Sequence, residues 1–382
     1  MSWRPLDQVY LQESAGKSVG KLPRQRVIRE ELYNVKYKKE SEPEYNDIDV
    51  DDAQFKKAYR YLKTSDSGIK KAIESLQLSG LTAIQVKEVI EVVYRYDEPE
   101  KFFTALENKM PIEEFLSAPN NNIIDVVASK YDLDKGLVGE LLRFAPTTQP
   151  VTGRGETFMI LFVDGARKGS VGDIEVNGTE YETKGSNARI RGQKGFGSPA
   201  AAKRAFQSGL TDLAEKSKSE DLIMLVSDLT NPNFNISVTS NGFIDQIADQ
   251  LVKTGNVTKE DVALVYAIGF KEIYEYADIK SDLLSWIVPS LDDNGNMNDT
   301  FRTNYFLFAL KYYAEQENFD YIISMGTAPN PKILYGKMNY VSAEEIKSKS
   351  NSVLQKIVPQ TFPSFEPSSG LQGPFFAIRP KI

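Results

Sequence analysis

The sequence predicts an α/β protein, with a central mixed β-sheet flanked by helices and an α-helical region before it. Three observations carry this. Apolar residues recur at helical spacing between 53 and 146, the mark of helices with one buried face. From 151 onward strand-like and helix-like segments alternate, the pattern of an α/β domain. Asn177-Gly178 stands between alternating residues, the strongest short signal for a hairpin with a two-residue type I′ turn.

Residues 1–52 read as a charged arm or linker. Lys17 to Lys39 holds eight Lys/Arg against Glu30 and Glu31, and Glu40 to Asp52 holds seven acids and no base. Such a switch between charge blocks marks solvated chain, and its basic half is also a candidate for nucleic-acid contact. Residues 53–146 form the helical domain. Ile69, Ile73, Leu76 and Leu78 are followed by Ile84, Val86, Val89, Ile90 and Val93, then by shorter helices at Ile112–Leu116, Asn122–Lys130 and Asp134–Phe144. Ala145-Pro146-Thr147-Thr148-Gln149-Pro150 breaks the pattern and sets a boundary.

The third domain, 151–382, opens with an apolar helix from Glu156 to Val163, closed by Gly165. A hairpin follows from Gly172 to Lys184. Ser198-Pro199 is a cap followed by a first-turn proline, opening a helix to about Lys216. Asp221 to Val226 reads as a buried strand. Helices are expected near 241–253, 258–276 and 300–317, and strands at Tyr321–Met325 and near Phe375–Ile378.

Composition narrows the chemistry. The chain of 382 residues has 46 Lys+Arg against 53 Asp+Glu, a net charge of −7, which excludes a generally basic nucleic-acid coat but not a local basic patch. It has no histidine and no cysteine. A Ser-His-Asp triad, a thiol nucleophile, a disulfide, a zinc ribbon and an iron–sulfur cluster are therefore excluded. Any catalysis must use carboxylates, Lys, Arg, Tyr or Ser, with a hard metal ion as the natural helper. Apolar runs reach about six residues where a membrane span needs ~20, so the reading is a soluble protein. The start lacks an apolar signal core, and absent cysteine fits a cytoplasmic setting.

The hairpin turn sets a register in which Val176 faces Thr179, Glu175 faces Glu180, Ile174 faces Tyr181 and Asp173 faces Glu182. Side chains alternate with period two. Asp173, Glu175, Glu180, Glu182 and Lys184 thus share one face. Like charges directly opposite are destabilising unless a cation sits between them, and Mg²⁺ needs only one or two carboxylates plus water and phosphate. Lys184 lies two residues beyond Glu182, where an ammonium can hold a water or offset phosphate charge. The plain structural alternative is a solvated acidic hairpin face. The neighbouring segment tips the balance: Lys184, Arg189, Arg191, Lys194, Lys203 and Arg204 occur with no acid between 184 and 204. Gly185, Gly192, Gly195 and Gly197 let backbone approach a phosphate chain. Carboxylates beside a basic, glycine-rich segment are what a phosphodiester polymer requires.

Gly172-Asp173 followed by Glu182-Thr183-Lys184, with Gly153-Arg154-Gly155-Glu156 ahead, resembles the PD-(D/E)XK nuclease superfamily, in particular restriction-endonuclease-like members, phage-encoded nucleases among them. The likeness covers residues 153–204, and departs at Gly172, where the name-giving proline would stand. It implies a restriction-endonuclease-like core in which Asp173, Glu182 and Glu156 hold Mg²⁺, with Mn²⁺ able to substitute, and Lys184 completes the catalytic set. The basic segment itself offers Arg189, Arg191, Lys194, Lys203 and Arg204 as DNA contacts, and the resemblance adds Gln193 or Lys194 as auxiliary substrate contacts. An acid in a helix's first turn, as Glu156 is, also answers to the helix dipole alone.

The expected activity is thus Mg²⁺-dependent cleavage of DNA. Two other readings stand beside it: a non-catalytic DNA-binding or virion structural protein reusing the fold, and a phosphohydrolase of small nucleotides. Intact Asp173, Glu182 and Lys184 weigh against the first, and the long basic segment against the second. Whether the chain forms a homodimer is left open. Ala15-Gly16-Lys17-Ser18 imitates the end of a phosphate-binding loop, but Leu11 stands where its first glycine belongs. Asp292 to Asp299 imitates a calcium loop, but Met297 and Thr303 stand where Gly and Glu are required; a surface turn is expected. The aromatics Tyr305, Phe306, Phe308, Tyr312 and Tyr313 are read as helix core.

Overall fold

A computed structural model of the chain describes residues 75–76, 78–81, 83–96, 99–117, 122–144, 153–185, 188–190, 199–229, 243–329, 332–349, 351–361 and 376–382. The arm at 1–52 with its basic stretch, residues 53–74 with Ile69 and Ile73, the 145–150 boundary, and residues 191–198 with their glycines and the Ser198 cap lie outside this set.

The helical expectation holds over the described part of 53–146. Helices α1 (Ala83–Arg95), α2 (Pro99–Glu107), α3 (Ile112–Leu116), α4 (Ile123–Tyr131) and α5 (Lys135–Arg143) follow one another. Two have side-chain caps: Asn122 accepts from the Ile124 N–H and Asp134 from the Gly136 and Leu137 N–H groups, satisfying donors a helix start leaves orphaned. These helices pack on α6 (Arg154–Phe162). Phe102 meets Phe162 edge-on at 6.3 Å and Phe115 lies 6.3 Å from Phe158. The Met110 N–H donates to the Phe162 carbonyl at 2.9 Å and its carbonyl accepts from Asp164 N–H at 2.8 Å. Phe158 to Val163 are fully buried, because a helix that is apolar all round must be covered on every side.

Among the described residues eight strands form two sheets. They are β1 (Ala166–Lys168), β2 (Ile174–Val176), β3 (Thr179–Gly185), β4 (Arg189–Ile190), β5 (Tyr321–Met325), β6 (Met338–Ser342), β7 (Ile357–Thr361) and β8 (Phe376–Pro380). The larger sheet has the order β1-β2-β3-β5-β6, and the smaller β4-β8-β7. β3 and β5 run parallel and the other pairs of the larger sheet are antiparallel, so it is the expected mixed sheet. The hairpin register is the expected one over its ladder: Ile174 opposite Tyr181, Glu175 opposite Glu180, Val176 opposite Thr179. Asn177 and Gly178 both have positive φ, 53° and 87°, as a type I′ turn demands.

Between β3 and β5 the chain makes helices α7 (Pro199–Ser217), α8 (Glu220–Leu229), α9 (Phe243–Lys253), α10 (Lys259–Lys271) and α11 (Phe301–Glu317). The stretch Asp221–Val226, expected as a buried strand, lies inside α8 instead. Leu222 and Val226, four apart, are buried, while Ile223, Met224 and Leu225 are exposed, a helical rather than an alternating pattern. A short apolar run does not by itself decide between the two. Its flank does: Glu220 and Asp221 fall in the first turn, where the helix dipole favours acids, and the Ser219 carbonyl accepts from Ile223 N–H at 2.9 Å. The calcium-like segment is a turn, with Asp292 N–H donating to the Asn296 carbonyl and Gly295 N–H to that of Asp292.

The aromatic residues of α11 are buried, as expected of core. They share a hydrophobic cluster with Ile322 of β5 and with Phe206, Tyr266 and Phe270 of α7 and α10, so α11 lies against the sheet beside β3. Among the described residues no helix is long and apolar enough to cross a membrane.

Candidate active site

The hairpin sorts its acids into two groups. Glu175 pairs with Arg167 at 2.7 Å, across β1–β2. The Glu180 carboxylate accepts from the Ser170 and Gly172 N–H groups and braces the loop into β2. These two are structural. Asp173 and Glu182 turn to the end of the sheet where Lys184 lies.

Asp173 stands one residue before the β2 ladder, and it does not pair across the strands with Glu182 as the extrapolated register required. Its Oδ2 instead accepts from the Thr183 backbone N–H at 2.8 Å and lies 3.4 Å from Thr183 Oγ1. At Gly172 the backbone runs so close to β3 that an added Cβ would come within 2.9 Å of the Tyr181 carbonyl oxygen. The departure from proline at this position therefore has a steric cause. Glu182 and Lys184 alternate onto one face of β3, in register with Ile322 and Ser324 of the parallel β5. The Lys184 ammonium pairs with Glu182 Oε1 and lies 3.5 Å from Asp173 Oδ2.

Glu156 is the third residue of α6, and its carboxylate accepts the Gly153 backbone N–H. That is the reciprocal half of a capping box, so the first turn of α6 sets the side chain. Burial pushes the Glu156 carboxyl up to about 7, and the charge of Asp173 adds to the rise. Burial also raises Glu182, partly offset by Lys184. For Lys184 burial works to lower the ammonium, but the Asp173 and Glu182 carboxylates outweigh it and hold it above its usual range. The structure thus brings Glu156, Asp173, Glu182 and Lys184 into one electrostatic cluster of three acids and one cation.

Tyr313 on α11 joins this cluster, where the sequence pattern marked it only as helix core. Its hydroxyl donates to Glu182 Oε1 across 131 residues of chain, and Lys184 Nζ lies 5.8 Å from its ring centroid. Burial, then the Glu182 charge, raise the phenol far above its ordinary range, so it stays a donor. A helical aromatic run holds no local sign of such a contact. Ser324, beside Lys184 on β5, is fully buried, and its hydroxyl has no hydrogen-bond partner among the described residues.

The expected DNA contacts are placed less closely. Arg189 lies on β4 opposite Ala377 of β8, and its side chain is outside the described set, as are Arg191, Gln193 and Lys194. Lys203 and Arg204 sit on α7, a different element from those that carry the carboxylates, with Arg204 exposed and Lys203 half-buried.

Among the described residues no three His, Cys, Asp or Glu side chains are grouped as a ready metal cage. The donor chemistry still suits a hard cation. The ligands on offer are carboxylate oxygens, the Lys184 ammonium already holds a positive charge between Asp173 and Glu182, and Mg²⁺ is commonly bound by one or two carboxylates with water and substrate phosphate completing its shell. One buried and two half-buried acids around one lysine, at the end of a hairpin and the edge of the core, can bind a cation, polarise a bound phosphate and hold a water. Comparison with known proteins adds no precedent: no protein-family model, no curated protein and no solved structure matches the chain.

Proposed function

We propose that the chain is a Mg²⁺-dependent nuclease of the PD-(D/E)XK, restriction-endonuclease-like kind, hydrolysing phosphodiester bonds in DNA. The observation that carries this is the convergence of Glu156, Asp173, Glu182 and Lys184 from a helix, a strand entry and a neighbouring strand. That order of elements, helix α6 and then hairpin β2–β3 with β3 in a mixed sheet, is the one the sequence resemblance implies.

In this reading Asp173 and Glu182 hold the metal ion and Glu156 is a third carboxylate for it. Bound there, Mg²⁺ or Mn²⁺ would supply Lewis-acid polarisation of the scissile phosphate. Lys184 holds the attacking water or offsets charge that develops on the phosphate, a benefit largest in the transition state. Thr183 N–H fixes the Asp173 carboxylate at 2.8 Å, so that ligand is aimed by the backbone of β3. The basic, glycine-rich segment 184–204 contacts the DNA backbone.

The test is incubation of purified protein with plasmid and linear DNA in Mg²⁺, Mn²⁺ or EDTA, alongside Asp173→Asn and Glu182→Gln. Cleavage is expected only with metal, and each variant should stay folded and lose it. Near-normal cleavage by either variant overturns the site. DNA binding without cleavage under all conditions would favour the non-catalytic DNA-binding or virion protein.

A further inference from the structure

We infer that Tyr313 is a positioning residue for the metal site, fixing which oxygen of Glu182 is offered to the cation. This rests on the nuclease reading above. The Tyr313 hydroxyl and the Lys184 ammonium both bond Oε1 of Glu182. With both protein donors on one oxygen, Oε2 keeps its lone pairs for an incoming electrophile. The ring does a second job: Lys184 Nζ stands 5.8 Å from its centroid, within the range of a cation–π contact. One side chain therefore orients the carboxylate and shelves the lysine.

Several features make this arrangement rigid. Tyr313 is 3% exposed and sits one turn before the C-terminal end of the seventeen-residue α11. Its ring is tilted against Phe319 at 5.7 Å, at the turn from α11 into β5. Because β5 is the parallel partner of β3, the helix and the strand that flank Glu182 are joined by the same short connection. Glu182 would otherwise be a buried carboxylate with rotameric freedom and only Lys184 to hold it. Outer-shell hydrogen bonds of this kind orient metal-ligating carboxylates, and losing one typically costs 10–100-fold in metal affinity or activity.

The experiment compares Tyr313→Phe with a variant carrying 4-aminophenylalanine at 313, since both keep the ring under Lys184 and change only the donor. Mn²⁺ binding is read by electron paramagnetic resonance of the free ion without DNA, with melting temperature as the folding check. Expected affinity falls in the order wild type, amino variant, Phe variant, with about a 10–100-fold loss for Phe in proteins that still melt cooperatively. If Tyr313→Phe does not fold, the wild type against the amino variant decides, because an aniline N–H is the weaker donor. Equal Mn²⁺ affinity in all folded proteins overturns the role of Tyr313. Glu182→Gln keeps the two failures apart. If it binds Mn²⁺ as the wild type does, the metal site itself is wrong and the inference falls with it; if it abolishes binding while the Tyr313 variants do not weaken it, only the inference falls.

Discussion

Replacing Lys184 by Met tests the cluster most directly, because it removes the cation and keeps most of the volume. The ammonium pairs with Glu182 and lies 3.5 Å from Asp173 Oδ2, with the lysine side chain 13% exposed and Glu182 7%. At an effective dielectric constant of ~20 the Asp173 contact alone is worth about 5 kcal/mol before desolvation. Breaking a buried pair by removing one partner typically costs about 3–5 kcal/mol, because the other charge is left uncompensated. For a unit of roughly 300 residues, at ~2.1 cal/mol/K of unfolding entropy each, that is a fall of about 5–8 °C in melting temperature. The measurement is calorimetry in EDTA, at a pH above the value of about 7 for Glu156, so that protonation of that acid does not hide the effect. Mn²⁺ should then raise the melting temperature of Lys184→Met more than that of wild type, since a cation returns to carboxylates deprived of theirs. Single-turnover cleavage should fall by roughly 10²–10³, the scale for losing one electrostatic donor, while DNA affinity in Ca²⁺ changes little. A variant that melts within about 1 °C of wild type in EDTA, or gains no more than wild type from Mn²⁺, would refute the charge-balance argument. Proportional loss of binding and cleavage would make Lys184 an ordinary backbone contact.

Three further outcomes are expected. Gly178→Ala should lower stability by about 1–2 kcal/mol, a purely conformational cost, because φ is +87° and an added Cβ meets nothing within 4 Å; an unchanged melting temperature would contradict the type I′ turn. Burial lowers the Lys109 ammonium to about 8, partly offset by Asp164. Its folded value lies below its unfolded one, so the unfolded chain binds more protons between the two. Its contribution to stability should therefore rise from about pH 8 toward about 10.5. Lys109→Met should flatten that rise in pH-dependent denaturation, and superimposable slopes would count against it. Replacing Arg189 and Arg191 together by Ala should reduce the log–log salt slope of DNA binding by roughly 0.9 for each phosphate these side chains neutralise; an unchanged slope would move the DNA path elsewhere, with the basic arm at 17–39 next in line.

Two segments show where pattern reading works and where it stops. Asn177-Gly178 has one low-energy solution between alternating strands, so the register of β2 and β3 follows from the amino-acid pattern alone. The same extrapolation failed one residue further out. Asp173 left the ladder to accept the Thr183 N–H, because the chain entering β2 bends against β3 at Gly172. At Asp221–Val226 the six residues taken alone were compatible with strand and helix alike; the flanking acids Glu220 and Asp221 suit a helix start, and as a helix the segment turns Leu222 and Val226 into the core.

Local chemistry along the chain was enough for the described helices between 83 and 143, the hairpin and the mixed order of strands and helices, and it nominated Asp173, Glu182 and Lys184. Each rests on interactions between residues a few positions apart, where turn dihedrals and side-chain periodicity leave few choices. The parallel pairing of β3 with β5, the seating of Glu156 beside the carboxylates and the contact of Tyr313 with Glu182 depend instead on the packing of distant segments, 131 residues apart in the last case. No local spacing encodes them, and the last exists only once α11 has packed its aromatic face into the core and brought Tyr313 to Glu182.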